Sequence, residues 1–195
     1  MTVLLLSFAL SSCLVPQSVE QNATQHTVPI IDLTQLSGAL LTPTVPLYLR
    51  GPDDIAQQCN CRLELVIPVI KDEDPTIDVQ ARWFVDYDLG TTLSQSPVQT
   101  TDFPGSFTNP SVIRGPVTFT LDADARGLST GPHVVEMIVA ERQGFATDNV
   151  DPAHRALVPQ FDATTFKVAV DVKPSASQCD RNTPVSPFMR RVCAQ

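Results

Sequence analysis

Beyond residue 60 the chain alternates apolar and polar residues with a period of two, the signature of strands buried on one face. In RLELVIPVI, Leu63, Leu65, Ile67 and Val69 share a face with Cys61. In IDVQARWFVDYD, Ile77, Val79, Ala81, Trp83, Val85 and Tyr87 face one way, and Asp78, Gln80, Arg82, Asp86 and Asp88 face the other. PVTFTLD turns Val117, Phe119 and Leu121 inward, and HVVEMIVAE turns Val135, Met137 and Val139 inward. ATTFKVAVDV sets Phe166, Val168, Val170 and Val172 against Lys167 and Asp171. Two shorter apolar pieces, VPIIDL and VPLYLR, read as edge strands broken by proline. Pro68 removes a ladder donor from within a long strand, which predicts a bulge or a strand end there. A helical stripe of useful length is not found.

About seven strands separated by turn signals predict an all-β, antiparallel β-sandwich. Seventeen prolines against 17% charged residues agree with a turn-rich β fold. The length of 195 residues accommodates one domain of ordinary size. A net charge of -8 excludes the basic stripe that nucleic acid requires, and it disfavours anionic headgroups.

The N-terminal stretch Val3–Leu10 is apolar but far shorter than the roughly 20 residues a membrane-spanning helix needs. A short apolar run followed by small residues is the pattern of a secretory signal peptide. Leu10-Ser11-Ser12-Cys13 resembles the bacterial lipobox. That resemblance implies lipid on the Cys13 sulfur, cleavage after Ser12 and acylation of the new N-terminus. It also implies attachment to the bacterial outer membrane, because Leu14 stands where the inner-membrane retention signal has Asp. The rival reading is an apolar first element of a cytosolic domain. The polar stretch QSVEQNATQH that follows, lacking apolar periodicity, favours a tether.

Five cysteines become four once Cys13 is set aside: Cys59, Cys61, Cys179 and Cys193. An even number in an exported protein reads as two disulfides with three possible pairings. A metal site is the alternative, but Cys-Asn-Cys with two distant partners lacks zinc spacing.

Trp83 in its strand, and the run GLSTGPHVVEMIVAE, resemble an immunoglobulin-like domain of the bacterial surface type. Leu128, Gly131 and His133 match the Leu-x-x-Gly-x-His lead-in of that type, over a resemblance covering about residues 28 to 173. The sequence lacks the cysteine pair across the core, so other sandwich topologies stay open. If the topology is immunoglobulin-like, the second strand's start and the last strand's end share a pole. Cys59 and Cys61 then pair with the tail cysteines Cys179 and Cys193. Pairing Cys179 with Cys193 is the alternative, and a Cys59–Cys61 ring is the least favourable.

Other constellations are weaker. Gly127–Gly131 fits the G-x-S-x-G nucleophile elbow around Ser129, and Asp148 and His154 follow in hydrolase order. That motif needs a strand before the serine and a helix after it, whereas Pro132 and an alternating strand follow. His133 reads as a hydrogen-bonded turn anchor. His154 and Arg155 lie in a long connection, residues 143 to 160, of the kind that carries recognition. Asp72, Glu73 and Asp74, with Asp148 and Asp151, are expected at one pole; Asp72, Asp74, Asp148 and Asp151 are weak calcium candidates, with solvated turn acids as the alternative.

The resulting expectation is a signal peptide over 1–12, a tether over 13–27, an immunoglobulin-like β-sandwich over 28–173 and a disulfide-stapled, proline-containing tail over 174–195. The function expected is a lipid-anchored, non-catalytic module that binds or scaffolds another envelope protein, without cofactor. A calcium- or carbohydrate-dependent adhesion module and a periplasmic hydrolase are the alternatives.

Overall fold

The computed structural model describes residues 26–36, 44–88, 96–146, 150, 152, 154–175, 179 and 189–193. Strands form where apolar side chains alternate, and the fold is all-β. Among the described residues they are β1 Ile30–Ile31, β2 Val45–Tyr48, β3 Cys59–Ile67, β4 Ile70–Lys71, β5 Val79–Val85, β6 Gln99–Phe103, β7 Ile113–Arg114, β8 Val117–Asp122, β9 Gly131–Glu141, β10 Ala163–Lys173 and β11 Met189–Cys193. Two one-turn helices, α1 Pro52–Ala56 and α2 Ala123–Arg126, cap strand ends. Asp122 starts α2 by accepting from the Ala125 amide, and Gly127 ends it at a φ of 64°.

A five-stranded sheet has the order β2-β10-β9-β5-β6, and three-stranded sheets have the orders β11-β3-β8 and β1-β4-β7. The expectation of about seven antiparallel strands is corrected on two counts. Eleven strands are present among the described residues, and β2 runs parallel to β10, Val45 opposite Val170. The extra strands are β4, which Pro68 separates from β3, together with β6, β7 and β11.

The inner faces of the five-stranded and β11-β3-β8 sheets share one core. Trp83 on β5 is fully buried and stacks on Phe119 of β8, ring centroids 4.6 Å apart. Leu63, Leu65, Ile67, Leu121, Val135, Met137 and Val139 surround them, each fully buried. Gln99 Nε2 donates to the Thr118 carbonyl at 2.6 Å, and Arg126 Nη2 donates to the Val98 carbonyl at 3.2 Å. Side chains thereby tie the β6 edge to β8, the unpaired flank of the facing sheet.

Pro68 ends β3 at Ile67, one of the two expected outcomes. Two irregular residues change the parity, so Ile70 enters the core in place of Val69, which is only half-buried. A second parity change follows β5. Asp86 has a φ of 50°, a left-handed conformation that aspartate tolerates. Tyr87 therefore leaves the expected core face and packs edge-on against Phe84, centroids 5.0 Å apart.

Phe84, Ile138, Ala140 and Phe145 form a second buried cluster on the outer face of β5 and β9, joined by Tyr87, Leu157 and Ala163. The segment after β9 folds back to cover it, with Ala146 N donating to Ala156 O and Val158 N to Gly144 O. Gly144 is required there: a Cβ would sit 2.6 Å from the Phe161 ring. The outer face is thus dry around Phe84, Ile138 and Ala140, where the alternation predicts water.

Candidate functional site

Cys13, the Leu10–Ser12 stretch, Asp148 and Asp151 lie outside the described residues. The four remaining cysteines lie within them and are joined as Cys59–Cys193 and Cys61–Cys179. Each strand cysteine is thus bonded to one tail cysteine. Antiparallel pairing of β11 with β3 sets Cys193 opposite Cys59 in the ladder and Met189 opposite Leu63. The tail, expected as a stapled segment without a strand, forms β11 over Met189–Cys193. In β11 Val192 lies opposite Asn60 and is exposed, while Met189 packs on the core.

Asp54, a residue the alternation does not single out, organises this junction. Its carboxylate is fully buried and accepts from Gly51 N (2.7 Å), Cys179 N (2.8 Å) and Arg191 Nε (2.5 Å). Burial disfavours its charge, but these donors outweigh burial and hold its pKa below the ordinary carboxylate value. One carboxylate therefore starts α1 and grips both ends of the tail. A sequence signal existed in Gly51-Pro52-Asp53-Asp54, an acid at the third helical position after a proline start.

Of the acidic residues expected at one pole, Asp72 and Asp74 are used as local acceptors. Asp72 is buried and accepts from the Thr27 hydroxyl and the Asp74 amide through Oδ1, while Oδ2 has no hydrogen-bond partner among the described residues. Asp74 accepts from the amide and hydroxyl of Thr76, which lower its pKa. Among the described residues the single cluster with metal-ligand geometry is Asp54, Cys61 and Cys179, whose two sulfurs are bonded to each other.

The expected tether boundary at residue 27 moves inward. Glu141, buried at the end of β9, accepts from Thr27 N at 2.7 Å and pairs with His26 Nδ1 at 3.0 Å. With Thr27 also on Asp72, the chain is fastened at His26–Thr27 immediately before β1.

The turn at Gly127–Gly131 lies between a helix and a strand, the reverse of a nucleophile elbow. Ser129 is exposed, and its carbonyl accepts from His133 Nε2 at 2.7 Å. His133 Nδ1 donates to Asp86 Oδ2 at 2.5 Å, and Asp86 Oδ1 accepts from Val134 N at 2.8 Å. Burial disfavours the imidazolium, but the Asp86 carboxylate and the Ser129 carbonyl outweigh it, raising the His133 pKa above its ordinary 6.5. This is the turn anchor expected, with the aspartate at the Asp86 kink as its partner.

His154 and Arg155 do not form a free recognition loop. Arg155 Nη2 donates to Glu136 Oε1 at 2.7 Å and lies 5.2 Å from the Tyr87 ring centroid. Lys167 Nζ reaches the same Glu136 oxygen at 3.0 Å. Arg82 Nη1 donates to the His154 carbonyl at 2.6 Å while its guanidinium stacks 4.0 Å over Phe145. The buried Glu136 was invisible in the sequence because it occupies the polar parity of β9; only the returning segment buries it.

The outward face of the β1-β4-β7 sheet is different. Ile30, Lys71 and Ile113 are consecutive partners across it, and all three are exposed. Ile31, Ile70 and Arg114, the next row, point inward and are buried. Val28, Ile30, Lys71 and Val112 line a shallow groove of about 360 Å³ beside Asp72 and Glu73. No protein-family model, curated protein or solved structure matches the chain.

Proposed function

We propose that this protein is a lipid-anchored component of the bacterial cell envelope, its folded part an immunoglobulin-like β-sandwich that binds or scaffolds another envelope protein without catalysis. The observation that carries the reading is the tetrapeptide Leu10-Ser11-Ser12-Cys13 after a short apolar run, in a chain whose other four cysteines are spent on two disulfides. Disulfides of this kind form and persist in exported proteins. With Cys13 outside that set, its thiol is left for an acyl chain.

The strand order supports the immunoglobulin-like reading. β10-β9-β5-β6 corresponds to strands G, F, C and C′ of that fold, and the β3–β8 pair to strands B and E. Trp83 on β5 occupies the position of the core tryptophan of strand C. The tail strand β11 adds to β3, and tail disulfides replace the bond across the core. The reversed order of helix and strand around Ser129 supports a non-catalytic module.

The deciding experiment is Cys13→Ser in the native host, with fractionation and the mass of the N-terminal peptide. The wild-type peptide is expected to start at Cys13 and carry acyl chains, and the variant to leave the detergent-extracted membrane fraction. An unmodified Cys13 thiol on a membrane-associated protein would sink the proposal. Crosslinking in the intact envelope then identifies the protein held.

A further inference from the structure

We propose that the outward face of the β1-β4-β7 sheet is a membrane-contact face, lying against the bilayer that holds the acyl chains of Cys13. The inference rests on the lipid anchor proposed above and adds which side of the domain meets the lipid.

The row Ile30–Lys71–Ile113 and the flanking Val28 and Val112 expose apolar side chains together; Ile30 and Ile113 are each 55% exposed. Clustered exposed aliphatic side chains mark an interaction surface more often than isolated ones do. Lys71 carries the central charge of the row, and Asp32 neutralises it at 2.8 Å. The segment entering β7 runs through Phe107, which is 85% exposed. That segment is held rigidly. Gly105 N donates to Asp78 Oδ1 and Ser106 N to Pro75 O, and a Cβ on Gly105 would fall 2.0 Å from the Thr76 carbonyl oxygen. An exposed aromatic on a braced turn that leads into β7 suits the headgroup–acyl boundary.

The position of the anchor selects lipid as the occupant. Twelve residues separate Cys13 from His26, a span of at most about 45 Å. The chain is fastened at Thr27 to Asp72 and Glu141, so the tether joins the domain at His26, two residues before Val28 and four before Ile30 of the apolar face. The bilayer is therefore at high effective concentration for this face, where even weak partitioning is populated. The acyl chains hold the protein at the bilayer, and this face then sets which side of the domain turns toward the lipid. The protein's net charge of -8 directs this contact to uncharged headgroups.

The test uses the processed, acylated protein purified from its membrane and reconstituted in phosphatidylcholine vesicles with brominated acyl chains. Three single variants place an added indole: Ile113→Trp on the proposed face, Phe107→Trp on the turn that leads into β7, and Val134→Trp as control. Val134 is exposed near the start of β9, seven residues from Glu141, about 23 Å along the strand. Trp83, the sole native tryptophan, is buried and reports that each variant is folded.

The added indole is expected to lose at least half its emission at positions 113 and 107 and almost none at 134. Intact mass settles acylation separately. An acylated, vesicle-bound protein with no quenching at 113 or 107 overturns the membrane face and leaves the anchor standing. A protein without acyl chains overturns both. Efficient crosslinking between copies through Ile113→Cys, with the indole unquenched, would mean that a second copy covers the face.

Discussion

Trp83 is surrounded on all sides by apolar atoms, and its stability cost on truncation follows from that. Trp83→Ala is expected to cost about 3–5 kcal/mol in denaturant unfolding, because the cavity between β5 and β8 cannot collapse when Phe119 loses its stacking partner. The indole Nε1 has no hydrogen-bond partner among the described residues, so Trp83→Phe sheds an unmet donor and should cost less than half as much. Equal losses in the two variants would mean that the N–H is satisfied. His133 supplies a titrating residue. Its pKa is raised in the folded state, so its contribution is complete below the unfolded value near 6.5 and fades as pH rises through the folded value. Asp86 is partly exposed, which limits the effect to less than about 1 kcal/mol. Wild type should lose that increment relative to His133→Asn between pH 6 and pH 8.5. The comparison with the variant isolates the His133 contribution from every other group. A difference that grows with pH instead would contradict the ion pair.

At the scale of elements, the tail strand β11 is the piece with least intrinsic stability. Among the described residues it pairs with β3 alone, and its hold combines two covalent bonds with the Asp54 carboxylate. The bridges are not additive. The first closes a loop of more than 100 residues, worth about 4.7 kcal/mol in the chain-entropy model. Once it exists, the second closes only the small ring between 59–61 and 179–193, worth about 3 kcal/mol. Asp54→Asn should cost about 3 kcal/mol, since it leaves Arg191 inside a junction built for a carboxylate. Limited proteolysis after reduction should cut the tail before the remaining sheets open, and simultaneous cleavage would show that β11 is integral to the core. The long strands and their inward residues were legible because period two leaves little choice of face. Edge strands β1 and β2 were legible too. β11 was not, since Met189–Cys193 has one core residue and gains its place from a bond and an ion pair over 130 residues distant. Tyr87 and Val69 were misplaced because Asp86 and Pro68 shift the parity by local backbone geometry. Burial of Glu136 and Phe84 depended on a segment folding back, which periodicity does not encode.

For the whole molecule, the Cys59–Cys193 bond has a mechanical meaning. Consider a steady pull between the N-terminal side and the last residues, the load that the proposed anchor and partner would impose. The tension enters at Cys193, crosses the sulfur–sulfur bond to Cys59 and leaves along the chain before β3. Everything from β3 to β10 sits on a slack branch and bears none of it. The elements in series with the load are β1, β2 and α1, so a forced extension beyond His26 stops at about 110 Å. With a dithiol reductant present, the same pull should run on to about 570 Å as the sheets unravel in turn. Single-molecule stretching reads both lengths directly, and the long extension appearing without reductant would place the load path elsewhere. The bond is thus a strain limiter, sparing the central sheets from traction whatever hangs from the far end of the chain.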